Sequence, residues 1–321
     1  MPLSVGTRRP PSPPPPPPPP PPSRVDERLE LTWHAPDGRV WPLTLPRGRV
    51  RVLATSALRK APDVETTLDA RPRGGADVRH QHEQERYLLL PLLLDAREQG
   101  YMSLVELARS LNDAFMQTLD LGAGVLRVRY PDGRAREISA RYHSGWDGVD
   151  EYGPGVNWDI IPALTLVAES PHWRDTQPIV LRYAYADPID YFDPYRSISS
   201  GQVLGDVTVH NPGSVMAWPT WRITGPLAEL TATNHTTGES FVLNPDWDNN
   251  GPLGAGDTVT ITTDPTQVRG PDGSSWLGAI NLPGGVLWGL RRGDNKITFT
   301  ALGAAEGTVV EIAFHPLHRT A

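Results

Sequence analysis

The sequence contains no cysteine, which excludes disulfide staples, thiol catalysis, Cys-ligated zinc and iron–sulfur clusters. Lysine is scarce as well: Lys60 and Lys296 are the only two among 30 basic residues. A solvated surface does not require that bias, since lysine serves as well as arginine as an exposed charge, and it points to a GC-rich genome. Positive charge is not in excess. With 37 acidic residues the formal net charge is −7, which argues against a general nucleic-acid binder, whose affinity comes from neutralising phosphates. Long apolar runs are missing too. The longest, Tyr87 to Leu94, is broken by Pro91 and falls far short of the roughly 20 residues that span a bilayer. Prolines rather than an apolar segment follow Arg8 and Arg9, so no secretory leader, no membrane partner and synthesis in a cytoplasm are expected.

Proline and glycine are abundant: 35 and 30 of 321 residues. The length suggests two globular units, each able to bury an ordinary core, and the composition leans towards a turn-rich β protein. Residues 10–22 are all proline except Ser12. Ten uninterrupted prolines form a polyproline II rod of roughly 31 Å. Residues 1–29 are therefore expected to be a disordered tail, serving as a tether or as a docking segment for an aromatic groove.

Strand signals begin at Leu31. Leu31 to His34 and Val40 to Leu45 flank an Ala-Pro-Asp-Gly turn at 35–38, which reads as a hairpin. A second Pro-Asp-Gly turn, at 131–133, separates Val125–Tyr130 from Ala135–Tyr142. There Leu126 and Val128 fall on one face, with Arg127 and Arg129 on the other. One helix is predicted to start at Ser103, where Ser103 and Glu106 form a capping box. Leu104, Leu107, Ala108, Leu111 and Phe115 recur behind it at helical spacing. Arg86–Leu94 reads as a buried strand, with Pro91 marking an edge or a bulge, and Trp158–Val167 as the last strong strand of this half.

Prolines at 171, 178, 188 and 194 then punctuate the chain, and a boundary is expected near residue 176. The first domain is taken as 30–176 and the second as 177–321. After Gly201 only short strands recur: 203–209, 220–223, 230–234, 240–243, 258–262, 296–301 and 308–314. With Gly, Pro and Asn between them, they predict a β-sandwich.

No chemistry of hydrolysis or phosphate binding is visible. Ser144 lies between His143 and Gly145, without the Gly-x-Ser-x-Gly elbow, and no Gly-x-x-x-x-Gly-Lys loop occurs. Asp147, Asp150 and Glu151 are acidic neighbours that spacing alone does not set across a sugar. No catalytic residue and no cofactor are assigned. His80 and His82 could form a metal pair on one side of a strand, but their polar setting favours a solvated loop. His315 and His318 are expected in an exposed tail. The sharpest metal candidate is Asp246-x-Asp248-x-Asn250-Gly251 with Asp257, the spacing of a calcium loop. An aspartate where a bidentate glutamate is usual, and flanking strands instead of helices, favour a plain hairpin loop there. Ten tryptophans leave room for sugar stacking. Trp218 and Trp221, three apart, should nevertheless point to opposite faces.

The second half carries signposts in a fixed order: Val207 to Asn211-Pro212-Gly213, Ala217-Trp218-Pro219-Thr220-Trp221 to Gly225-Pro226, Asn234 to Gly238, Gly256-Asp257 to Thr263, and Leu290 to Gly293-Asp294-Asn295-Lys296-Ile297-Thr298-Phe299. This order resembles the galectin-like sandwich of phage distal tail proteins. In the first half, Arg86 to Leu92, the helix after Ser103, Gly122 to Val128 and Pro131 to Arg134 resemble the N-terminal domain of the same family. Ala168 to Trp173 resembles its link between domains.

The resemblance implies a mainly-β fold: a barrel- or sandwich-like domain with one helix, then a galectin-like sandwich. It implies a non-enzymatic virion protein at the tip of a long non-contractile tail, forming a homohexameric ring. Implied partners are other copies of the chain, the tail tube protein, the tail-tip hub and a receptor-binding protein, with DNA only passing through the lumen. A carbohydrate-binding module for cell-wall adhesion is the alternative. The strand starting at Gly293 is expected to send Ile297 and Phe299 inward.

Overall fold

The computed structural model describes residues 29–44, 48–53, 55, 57–148, 155–185, 202–281 and 284–321. The polyproline run, Asp150 and Glu151 lie outside the described residues. In chain order the first half contains β1 (Glu30–His34), β2 (Val40–Pro42), β3 (Val50–Val52), β4 (Val64–Ala70), β5 (Ala76–Glu83), β6 (Arg86–Leu89) and β7 (Leu92–Asp95). Then follow helix α1 (Tyr101–Met116), β8 (Gly124–Arg129), β9 (Ala135–Ser144), β10 (Trp158–Ile161), β11 (Thr165–Ala168) and β12 (Trp173–Asp175).

The path β2-β1-β8-β9-β11-β6 forms one sheet, and β10-β7-β3 forms a smaller one. Both Pro-Asp-Gly hairpins form. In the second, Gly133 takes a φ of 86°, and Leu126 and Val128 are buried while Arg129 is exposed. The two apolar runs expected as single strands are each split by a proline. β6 pairs with β11 in the large sheet, whereas β7 pairs with β10 in the small one. Pro91 and Pro162 sit at the breaks, where a residue without an N–H interrupts a ladder at little cost. The paired strands thereby turn a corner from one sheet to the other.

Helix α1 lies against this corner through Leu104, Leu107, Leu111, Ala114 and Phe115. Trp33 stacks on Phe115 at 4.9 Å and donates its indole N–H to the Ala114 carbonyl at 3.2 Å. The capping box does not form. The helix starts two residues earlier, after Gly100 at φ 87°, with no side-chain cap. Ser103, inside the first turn, instead accepts the Arg49 guanidinium on its hydroxyl at 2.7 Å and its carbonyl at 2.8 Å. That tie to the β3 segment outcompetes the local cap.

The second half contains β13 (Ile179–Ala184), β14 (Gln202–Val203), β15 (Asp206–Asn211), β16 (Thr220–Thr224), β17 (Glu229–Asn234), β18 (Glu239–Leu243), β19 (Thr258–Thr262), β20 (Gln267–Arg269), β21 (Gly293–Leu302), β22 (Val309–Phe314) and β23 (Leu317–His318). One sheet runs β14-β13-β22-β16-β19-β20 and the other β15-β21-β17-β18. Alternate residues of both sheets meet in the core. Trp221 and Ile223 come from one side, and Phe241, Ile297 and Phe299 from the other. Trp221 meets Trp288 edge-to-face at 4.8 Å and Phe241 at 5.3 Å, geometry that aromatic quadrupoles favour. Ile297 and Phe299 point inward as expected.

The buried residues form two clusters, one spanning Leu31 to Trp173 and the other Tyr183 to Phe314. Among the described residues the architecture is mainly β with one α-helix.

Candidate functional site

Two features stand apart from the cores: an arm without support and a polar junction between the halves. The arm is the hairpin β4–β5, whose strands, among the described residues, pair only with each other. All of β4 is exposed, as is all of β5 except Glu83. Seven residues of β4 extend about 23 Å at strand rise. Directly paired residues share a face. Val64, Leu68, Ala70, Ala76 and Val78 therefore line one side, with Leu68 opposite Val78, and Thr66, Gln81 and Glu83 share that side towards the body of the protein. Val64, Leu68 and Val78 are each more than half exposed.

The other face carries Glu65, Asp69, Asp77, His80 and His82. Asp77 pairs with Arg71, and Asp69 lies 3.8 Å from Arg79. His80 and His82, expected in a loop, lie in β5 with their rings stacked at 5.3 Å. The segment reads as a loop in sequence because neither face is buried against the body of the protein, so no apolar alternation marks it. Among the described residues, no three His, Asp or Glu side chains gather as a metal-ligand set.

The junction forms where the chain returns to the first half. β23 pairs with β12, which in turn lies against β9. His315 and His318 belong to this junction, not to an exposed tail. The His315 Nδ1 donates to the Asp175 carbonyl at 2.7 Å, and His318 lies 3.1 Å from the Asp175 carboxylate. Arg136 donates to Asp175 at 3.1 Å and to the Thr320 carbonyl at 2.9 Å. The Ala321 amide donates to the Leu58 carbonyl at 2.9 Å. Arg319 meets Glu83 at 2.5 Å, and Glu83 also meets His172.

Burial pushes the Glu83 and Asp175 carboxyls up, but their bonds to Arg319 and His172, and to His318 and Arg136, hold both below the usual carboxylate range. Alternating polarity gave no signal for this return. Its contacts join residues as far apart in the chain as Leu58 and Ala321.

The calcium-type loop closes on its own backbone. Asp246 Oδ1 accepts the Gly251 amide at 2.8 Å, and Asn249 takes a φ of 57°. Asp248 and Asn250 are exposed on it. Asp257 belongs to the next turn, where its amide donates to the Gly254 carbonyl at 3.2 Å. Trp218 and Trp221 do face opposite ways: Trp221 is fully buried and Trp218 is 44% exposed. Among the described residues no helix is long and apolar enough to cross a membrane.

No protein-family model and no curated protein matches the chain. Solved structures do. The crystal structure of the phage SPP1 Dit (gp 19.1) protein, presented as a paradigm of the hub adsorption apparatus in phages infecting Gram-positive hosts, matches 90% of this chain and 99% of its own. The TM-score is 0.61 and the identity 12%. The chain has the fold of SPP1 Dit. The baseplate of phage p2 in its activated conformation with Sr also matches, at a TM-score of 0.48 and 10% identity over 90% of this chain and 98% of that one. The fold implied by the ordered signposts agrees with the fold of SPP1 Dit, and that likeness extends through both halves.

Proposed function

We propose that this chain is a distal tail protein: a non-enzymatic component of a phage tail tip that closes into a ring of about six copies by head-to-tail contacts. The ring joins the tail tube above to the hub and the host-adsorption machinery below. Residues 30–176 build its wall, and residues 177–321 form a galectin-like domain facing outward. The virion tail tip is its place of action, after synthesis in the cytoplasm of a bacterial host. The observation that carries this reading is the likeness in fold to SPP1 Dit, a hub adsorption protein, over 90% of the chain.

The arm supports the ring. An exposed hairpin with an apolar face gains little by standing in water, and a second copy can cover it. In a head-to-tail contact each copy lends its arm to the next and receives one in turn. A net charge of −7 per copy suits a lumen through which DNA passes without adhering.

Light scattering and negative-stain imaging of the purified chain test the proposal. A closed ring of about six copies with a central hole is expected. A strict monomer, both alone and when mixed with tail tube and hub proteins, overturns it.

A further inference from the structure

A cleft of about 380 Å³ opens where the two halves meet, near the lower end of the size range for small-molecule sites. Both halves contribute: Ser139, Ser170 and Arg174 from the first, and Trp218, Asp264 and His315 from the second. Among the described residues, Trp218 is the only tryptophan in its lining. Its position is built into the fold. The preceding residue, Ala217, exchanges two backbone hydrogen bonds with Leu290 at 2.9 and 2.8 Å, and the Pro219 carbonyl accepts the Thr263 hydroxyl at 2.5 Å. A Cβ at position 289 would stand 2.6 Å from the Met216 sulfur and 3.1 Å from Trp218 Cε3. Gly289 thus leaves the room that Met216 and this indole occupy.

The polar groups of the cleft divide into engaged and free. Glu137, at its edge, is taken on one oxygen by Arg127 and on the other by Arg174, so its charge is answered within the protein by two guanidiniums. Among the described residues the Asp264 carboxylate and the Ser139 and Ser170 hydroxyls have no hydrogen-bond partner. His315 donates through Nδ1 to Asp175, which leaves Nε2 as an acceptor in the neutral tautomer.

An exposed aromatic face beside unpaired acceptors and hydroxyls fits a polyhydroxylated ring, whose C–H face packs on indole while its hydroxyls donate to carboxylate and imidazole. Apolar lining from Ile138, Ala313, Phe314 and Leu317 is interleaved with Ser139, Ser170, Asp264 and His315, a mixed wall that suits an amphipathic sugar ring better than a wholly hydrophobic peptide. Asp264 repels an anion, and Arg174 is already committed to Glu137. We infer that this cleft binds a neutral saccharide of one or two rings, with Trp218 as platform and Asp264 as hydroxyl acceptor. The site needs both halves of the chain and is independent of ring formation.

Ligand-observed saturation-transfer NMR on the full chain tests it, using glucose, galactose, N-acetylglucosamine, lactose, cellobiose and chitobiose as probes. At least one is expected to show saturable transfer. Trp218→Ala should weaken that binding about tenfold and Asp264→Asn several-fold, while Trp218→Phe keeps a measurable part of it. Trp158→Ala removes another exposed tryptophan, outside the cleft lining, and should leave binding unchanged. Matching circular dichroism spectra establish that the variants fold. No transfer from any of the six sugars overturns the inference. So does binding that survives Trp218→Ala intact or falls equally in Trp158→Ala.

Discussion

Glu137 is only 6% exposed and takes two arginines, Arg127 at 2.7 Å and Arg174 at 2.7 Å. Burial raises its pKa, and the two guanidiniums outweigh that rise and hold it below the ordinary glutamate value. Asp95 is lowered to about 2, first by its hydrogen bond from Arg97. With Glu83 and Asp175 these form a set of carboxylates that bind protons more weakly folded than unfolded. On acidification the unfolded chain takes up protons first, near pH 4 for ordinary carboxylates. The stability they contribute is therefore complete above about pH 5 and lost as pH falls through the folded-state values towards about 2. Calorimetry at stepped pH should show the midpoint falling over that window. Glu137→Gln should cost about 2 kcal/mol at neutral pH and flatten the acid slope. A slope unchanged by the substitution would remove Glu137 from the set. Sequence alone identified none of these pairs. Arg127 reaches Glu137 across a hairpin and Arg174 from 37 residues away, whereas the opposite facing of Trp218 and Trp221 followed from strand period alone.

At the scale of elements, the helix and both Pro-Asp-Gly hairpins were legible because each announces itself locally, by period or by turn chemistry. The start of α1 was not, since Ser103 is claimed by Arg49, which precedes β3 and lies far away in the chain. The corner at Pro91 and Pro162 was hidden for a related reason: proline signals a break but not the sheet in which the chain resumes. The arm was the least legible element, because its burial lies outside this chain on the proposed reading. Introducing charge on its apolar face with Leu68→Asp and Val78→Asp should leave circular dichroism and the melting midpoint nearly unchanged, since both side chains are exposed. The same variant should shift the particle mass from ring to smaller species in light scattering. An intact ring would show that the arm does not bind the neighbouring copy.

Over the whole molecule, two buried clusters meet through polar contacts more than through shared apolar core. The segment 315–321 contributes most of them: the strand pair with β12, the histidines on Asp175, and the backbone bonds to Arg136 and Leu58. A chain ending at residue 314 should keep both cores and lose their coupling. Differential scanning calorimetry is expected to resolve two transitions where the full chain shows one. A single transition in the truncated chain would mean that the 171–178 connection suffices. The strands of the second half were visible in the sequence, because turn residues and alternating runs mark each of them locally. The return of the chain was not visible, because two short strands with partners far away carry no periodic signal of their own.

That return also sets a timetable. The outer edge of β12 has no partner until residues beyond 316 leave the ribosome, so the first half waits while the whole second sandwich is made. At about 5–20 residues per second the wait is on the order of ten seconds. During that interval nascent chains on one message stand close together, each presenting an open strand edge that an identical neighbour can pair with. For this protein, slow translation of the second half would raise the fraction of wrongly joined chains without altering a single residue.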